Sequence, residues 1–177
     1  MKIALLGSER TFHLAEYIGS LGDAVVCKDD KVSLDWLREN GIEFIVSYGY
    51  GYILKGDIIE AYNRRAVNLH ISFLPWGRGR SPLFWDLMEG NPIGVTIHYI
   101  DEGIDTGDII VQELVHLGNN LTFRECIARL RYSVEVMFYA YWGLIRTEQC
   151  FSHKQAGTGS YHKPEEIEAY KHLLTKG

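Results

Sequence analysis

With 177 residues, 46% of them hydrophobic, the chain has the size of one globular domain with a proper core, and no Ser/Gly/Pro-rich linker, low-complexity tract or internal repeat divides it. A formal net charge of −5 and a pI near 5.8 argue against an electrostatic binder of nucleic acid or membrane surfaces, so an anionic ligand has to be held by local groups. Cys27, Cys126 and Cys150 are odd in number and lack CxxC or metal-ligand spacing, which makes them small, partly buried hydrophobes rather than a disulfide framework or a metal site.

The opening apolar run, residues 2–6, ends at Gly7-Ser8; it is too short for a signal-peptide core and reads as a first strand. Phe12, Leu14, Ala15 and Ile18 then recur at helical spacing, with Thr11 as the N-cap of a helix reaching about residue 21. The alternation repeats as strand 24–27, helix 33–40, strand 44–47, helix 55–62 and strand 66–70. Strands alternating with helices predict a parallel, right-handed α/β sheet, in which ligands sit beyond the C-terminal ends of the strands. Ser8, Ser47-Tyr48-Gly49 and residues 68–72 lie at such ends.

Beyond a loop at 75–82 the pattern predicts a helix near 83–89, strands at 94–99 and 108–115 separated by a Gly/Asp turn, and a long helix at about 122–146. The apolar part of that helix, residues 136–145, falls well short of the ~20 residues needed to span a bilayer, so the expectation is a soluble cytoplasmic protein. Its aromatic run VMFYAYWGLI is core or a dimer face, which leaves monomer and homodimer open. After about residue 150 comes a short C-terminal extension, an extended piece followed by a short helix near Pro164.

Chemistry concentrates in Asn68-Leu-His70-Ile-Ser72-Phe-Leu74-Pro75 and in Gly103-Ile-Asp105-Thr-Gly107. Asn68 and His70 are two apart at a strand end, so they share one side while Leu69 turns into the core. An amide donor, an imidazole and the Asp105 carboxylate can then meet at one centre, although each has an ordinary reading as turn or strand-end chemistry, and Asp101, Glu102 and Asp108 compete for the acid's place. Arg78 and Arg80 alternate with Gly77 and Gly79 in PWGRGRSP, where guanidinium groups can fork onto phosphate oxygens or form a solvated loop, and Trp76 can stack on a ligand ring. The turn SYGYGYIL leaves backbone groups accessible to a flat polar heterocycle. The first turn, residues 7–11, has no GxGxxG pattern and so is not an ordinary nicotinamide dinucleotide site, but Ser8 and Arg10 can still hold phosphate.

Asn68-x-His70-x-Ser72-x-Leu74-Pro75, followed by GVTIHYIDEGIDTGDIIVQ, resembles the 10-formyltetrahydrofolate-dependent formyltransferases, with Asp105 at the position of the family's aspartate. The likeness runs from the first strand through the long helix and is closest to nucleotide-sugar N-formyltransferases; it extends to the formylation domains of peptide synthetases. The resemblance implies a Rossmann-like α/β fold, a mostly parallel twisted sheet flanked by helices, as one catalytic domain over residues 1–177. It further implies 10-formyltetrahydrofolate as cosubstrate, no metal, and a UDP- or dTDP-linked 4-amino-4,6-dideoxy sugar as acceptor, with no nucleic-acid or membrane partner. Asn68, His70 and Asp105 take the catalytic roles, Asp105 orienting His70. Gly51, Tyr52, Leu54, Ile100 and Asp101 are expected around the folate, with His98 behind them. Ser8, Arg10, Ser72, Trp76, Arg78 and Arg80 are expected on the nucleotide-sugar side. Formylation of glycinamide ribonucleotide, methionyl-tRNA or a carrier-bound amino acid, hydrolysis of the formyl-folate, and a non-catalytic folate- or nucleotide-binding module stay open beside it.

Overall fold

Alternation of side chains along the strands sets the layering of this molecule. In the computed structural model, which describes residues 1–170 and 172, β1 (Lys2–Gly7), β2 (Ala24–Lys28), β3 (Phe44–Tyr48) and β4 (Ala66–His70) run parallel, and α1 (Leu14–Ser20), α2 (Leu34–Glu39) and α3 (Gly56–Ala61) connect them. The chain continues through β5 (Arg78–Gly79), α4 (Pro82–Glu89), β6 (Gly94–Tyr99), β7 (Ile109–Leu114), α5 (Phe123–Ile145) and β8 (Tyr161–His162). One six-stranded sheet has the order β2-β1-β3-β4-β6-β7, and β5 pairs with β8 in a separate ribbon.

The predicted strands and helices are present and the sheet is mostly parallel, as the resemblance implies; the cap of the first helix is corrected. The sheet is parallel only through β4, because β6 pairs antiparallel with β4 and β7 antiparallel with β6. The turn between β6 and β7 is shorter than the dozen or more residues a parallel crossover requires, so that pair closes as a hairpin. The first helix is not capped by Thr11. A 3₁₀ turn, Glu9–Thr11, comes first, and the Thr11 hydroxyl donates to the Ser8 carbonyl at 2.8 Å. A Cβ on Gly7 would lie 2.3 Å from that hydroxyl oxygen, so the turn packs flat on the end of β1. At the predicted starts of two other helices the structure has caps: Ser33 accepts from the Trp36 N–H, and Thr122 forms a capping box with Glu125.

On one face of the sheet Ile3, Leu5, Phe44, Val46, Val67, Leu69, Val95 and Ile97 pack against α1 and α5, whose Leu130, Val134, Phe138, Trp142 and Ile145 recur at helical spacing. On the other face Ala4, Leu6, Ile45 and Ala66 pack under α2 and α3. The period of two puts Asn68, His70, Thr96 and His98 on this second face. There, at the β4–β6 pair, loops and the C-terminal segment cover the sheet and polar residues are gathered. The expected extended piece after residue 157 is β8, and the expected short helix is a 3₁₀ turn, Glu166–Tyr170; the rest of that expectation lies outside the described residues. Among the described residues no helix is long and apolar enough to cross a membrane.

Trp142 is fully buried, edge-on to Phe44 (centroids 5.3 Å apart) and stacked on Phe138 (5.1 Å), and its indole N–H has no hydrogen-bond partner among the described residues. Trp142→Ala is expected to destabilise the fold by about 3–5 kcal/mol through the cavity it leaves, whereas Trp142→Phe, which sacrifices no hydrogen bond, costs clearly less; urea unfolding of the three proteins measures both.

Candidate active site

Asn68 on β4 and His98 on β6 are register partners, and the turn after β6 folds back over them. The Asn68 amide N–H donates to Asp105 Oδ1 at 3.2 Å and lies 3.3 Å from His98 Nε2. His98 donates its Nδ1–H to the Tyr99 carbonyl at 2.7 Å, which leaves Nε2 as the bare nitrogen facing the amide. His70 is oriented otherwise than expected. Its Nε2–H donates to the Gly77 carbonyl at 2.9 Å, and its Nδ1 faces Asp105 Oδ1 at 3.8 Å, too far for a hydrogen bond. The Gly77 carbonyl, not Asp105, fixes the imidazole; Asp105 acts on it through charge.

Asp105 adopts the left-handed conformation (φ 53°), which aspartate tolerates better than most side chains. Next to it, a Cβ on Gly107 would strike the Tyr99 carbonyl at 1.8 Å, so the turn can come this close only with glycine. Asp105 Oδ2 accepts from the Gly79 N–H at 3.0 Å, and Oδ1 lies 3.5 Å from His98 Nε2. Burial pushes this carboxyl upward, but the charge of His70, the contacts to His98 and the Gly79 N–H outweigh it and hold Asp105 well below the usual carboxylate range. The competing acids are occupied elsewhere: Asp108 pairs with Lys154 at 2.8 Å, Asp101 accepts from Thr106 and the Gly103 N–H inside the turn, and Glu102 is exposed.

Two cavities meet at Asn68 and Asp105. The first, about 240 Å³, has apolar walls from Tyr50, Tyr52, Ile53, Leu54, Ile100 and Ile104. Gly51, Asp101 and His98 line it too, so every residue expected around a flat heterocycle faces this space. The second, about 330 Å³, contains His70, which the first does not, together with Ser8, Arg10 and Arg80. It also holds Arg131 and Glu135, which the sequence reading passed over. They sit one helical turn apart on α5, and charged residues with that spacing interrupting an apolar helix are the signal that marks them. Glu135 accepts from the Tyr48 hydroxyl at 3.0 Å and pairs with His13 at 3.2 Å. Burial, reinforced by Glu135, raises the Tyr48 phenol far above its ordinary range, so it stays a proton donor.

Three expected ligand contacts lie outside these cavities. Ser72 is fully buried, 2.5 Å from Asp86 Oδ2 and 2.9 Å from the Trp76 carbonyl. Trp76 stacks on Phe73. Arg78 donates to the carbonyls of Thr158 (2.7 Å) and Ser160 (3.3 Å), so its guanidinium fastens β8 to the loop. The C-terminal segment was the larger omission of the sequence reading. Tyr161, His162 and Pro164 line the first cavity, and Gln155 donates to the carbonyls of Asp105 (2.7 Å) and Gly107 (3.0 Å).

A parallel-centred α/β sheet carrying an amide, an imidazole and an ionised carboxylate where two cavities join describes a two-substrate transfer site. The family model "Formyl transferase" matches residues 27–140, and the chain belongs to that family. The formyltransferase PseJ from Anoxybacillus kamchatkensis, solved in complex with UDP-4,6-dideoxy-4-formamido-L-AltNAc and tetrahydrofolate, is 46% identical; the match covers 100% of this chain and 93% of that one, with a TM-score of 0.94. An N-formyltransferase from Helicobacter canadensis, solved with folinic acid and dTDP-3-aminofucose, shares the fold at 22% identity and a TM-score of 0.74, over 94% of this chain and 72% of that one. The methionyl-tRNA formyltransferase of Clostridioides difficile is 38% identical over 97 residues, 54% of this chain; the matched stretch spans only 31% of that relative's length.

Because Asp105 has a folded-state pKa below its unfolded value, its charge stabilises the fold above the unfolded value of about 3.9, and this contribution is lost as pH falls from there toward the folded value. The stability advantage of the wild type over Asp105→Asn is therefore expected to be full at pH 7 and to shrink below about pH 4, as followed by urea unfolding of both proteins across that range.

Proposed function

We propose that this protein is an N-formyltransferase that moves the formyl group of 10-formyltetrahydrofolate to the primary amine of a nucleotide-linked 4-amino-4,6-dideoxy sugar. The observation that carries this reading is the division of the site: Asn68 and Asp105 belong to both cavities, while His70 belongs to the second alone. A base needed by the acceptor amine and a donor needed by the carbonyl are thereby on the correct sides. The 46% identity to a formyltransferase solved with a UDP-linked formamido sugar and tetrahydrofolate supports both substrates.

The apolar first cavity suits a pterin, whose reacting end points toward Asn68. Amine attack on the formyl carbon builds an oxyanion, to which Asn68 turns one of the amide hydrogens now directed at Asp105 and His98. His70, with Nε2–H committed to Gly77, receives the amine's proton on Nδ1. The imidazolium so formed sits 3.8 Å from Asp105, which stays ionised and offsets the new charge. The same proton then goes to the departing folate nitrogen as the C–N bond breaks. Arg10, Arg80 and Arg131 bring three guanidinium groups to the second cavity of an otherwise acidic protein, a setting for the diphosphate of a nucleotide sugar. The net charge of −5 weighs against a tRNA acceptor.

The test mixes the protein with 10-formyltetrahydrofolate and UDP- and dTDP-linked 4-amino sugars and follows tetrahydrofolate release and product mass. A formyl mass gain on one sugar is expected, with Asn68→Ala lowering kcat roughly 10²–10³-fold and His70→Ala roughly 10²–10⁴-fold. Folate release without sugar product would instead establish hydrolysis, and full activity of the doubly substituted protein would refute the assignment.

A further inference from the structure

Asp86 is an acid that the mechanism above leaves unused. It projects from α4 with 1% exposure, behind the loop that carries Gly77, and it is close to His70 electrostatically although it touches neither cavity. Its surroundings are built to hold a carboxylate. The Ser72 hydroxyl lies 2.5 Å from Oδ2, and the Asn91 amide donates to Oδ1 at 3.3 Å. Burial raises the Asp86 carboxyl above its ordinary range, and those two hydrogen bonds and the charge of His70 offset that only in part.

The object gripped by this cluster is the Gly77 peptide. A Cβ on Gly77 would lie 2.3 Å from Ser72 Oγ and 2.6 Å from Asp86 Oδ2, so the carboxylate and hydroxyl press against the bare α-carbon. The Gly77 N–H donates to Ser160 Oγ at 2.8 Å, and Asn91 Nδ2 is 3.2 Å from the same oxygen. The only other polar atom of that residue, its carbonyl, receives the His70 Nε2–H. Every handle on Gly77 is thus held: the α-carbon by Ser72 and Asp86, the N–H by Ser160, which Asn91 ties back to Asp86, and the carbonyl by His70. If the carbonyl moved, nothing would keep the proton of His70 on Nε2, and the imidazole could place it on Nδ1 facing Asp105. That tautomer has no lone pair where the amine needs one.

We propose that Asp86 is a positioning residue for His70: through Ser72, Asn91 and Ser160 it locks the Gly77 carbonyl, which fixes the tautomer of the base, and it lends a second negative charge to the imidazolium. The inference rests on the reading of His70 as the base. Among the described residues, the charged and titratable groups facing His70 are Asp105 from the β6–β7 turn, His98 from β6, Arg10, Arg80, Tyr48, Arg131 and Glu135 around the cavity, and Asp86 from α4; those facing Asp86 are His70 and Glu89.

The test needs no acceptor for its first arm. In long-range ¹H–¹⁵N spectra of the unliganded protein, His70 of the wild type is expected as the Nε2–H tautomer alone, and Asp86→Asn and Ser160→Ala are each expected to populate the Nδ1–H form. Ser160→Ala alters a partly exposed position, so it probes the same linkage should Asp86→Asn fail to fold. Retention of the wild-type tautomer in Ser160→Ala, or in a folded Asp86→Asn, would overturn the proposal whether or not formyl transfer is the reaction. In the second arm, Asp86→Asn is expected to lower kcat for formyl transfer roughly tenfold to a hundredfold, to leave the KM for 10-formyltetrahydrofolate unchanged, and to move the acid limb of the pH profile downward. A uniform loss with an unmoved profile would mean a structural role only and would equally overturn it.

Discussion

An ionised carboxylate shut away from water costs several kcal/mol unless donors and opposite charge surround it, and Asp105 turns that requirement into architecture. Its two oxygens collect the Asn68 amide of β4, the Gly79 N–H of β5, and the approach of His98 from β6. Separate stretches of chain are brought to one point because the charge would be intolerable without them. The left-handed backbone at Asp105 and the contact of Gly107 against Tyr99 are the local strain and steric economy that let the turn reach inward. What reads as an ordinary Asp-Thr-Gly turn is the anchor for the whole site.

The layering follows from the period of two in the strands. Apolar positions on one face of β4 and β6 meet α5, and the polar positions between them turn to the opposite face. A site on that face can be polar without an energetic conflict with the core. Its coverings are then loops and a returning tail, which can be shaped around ligands more freely than a packed helix. The two cavities share Arg80 but differ in the rest of their walls: Tyr52, Ile53, Leu54, Ile100 and Ile104 on one side of Asn68, Arg10 and Arg131 on the other.

Much of this was legible in the residues themselves. The strands β1 to β4, the helix starts near Ser33 and Thr122, and the shared side of Asn68 and His70 follow from spacing and local chemistry. Turn propensity alone does not separate Asp105 from Asp101 and Asp108; the resemblance singled it out, and the structure has the other two engaged elsewhere. Ser72 and Arg78 look like ligand contacts in a motif written along the chain, yet their partners are Asp86, Thr158 and Ser160, far away in sequence. The orientation of His70 was hidden for a similar reason. A backbone carbonyl has no letter in the sequence, and the one at Gly77 is set by contacts that only tertiary structure makes.

The C-terminal segment gives the site an order of assembly. Gly77 is held by Ser160, 83 residues later, and the Asp105 turn by Gln155, 50 residues later, both beyond the stretch matched by the family model. The sheet can pair from its first strands onward, but these two clasps close loops of 83 and 50 residues, whose entropy opposes them until the sheet is in place. A chain emerging from the ribosome would therefore have its sheet and its long helix before it had a set imidazole or a completed cavity wall. Competence for chemistry arrives with the segment made after the long helix.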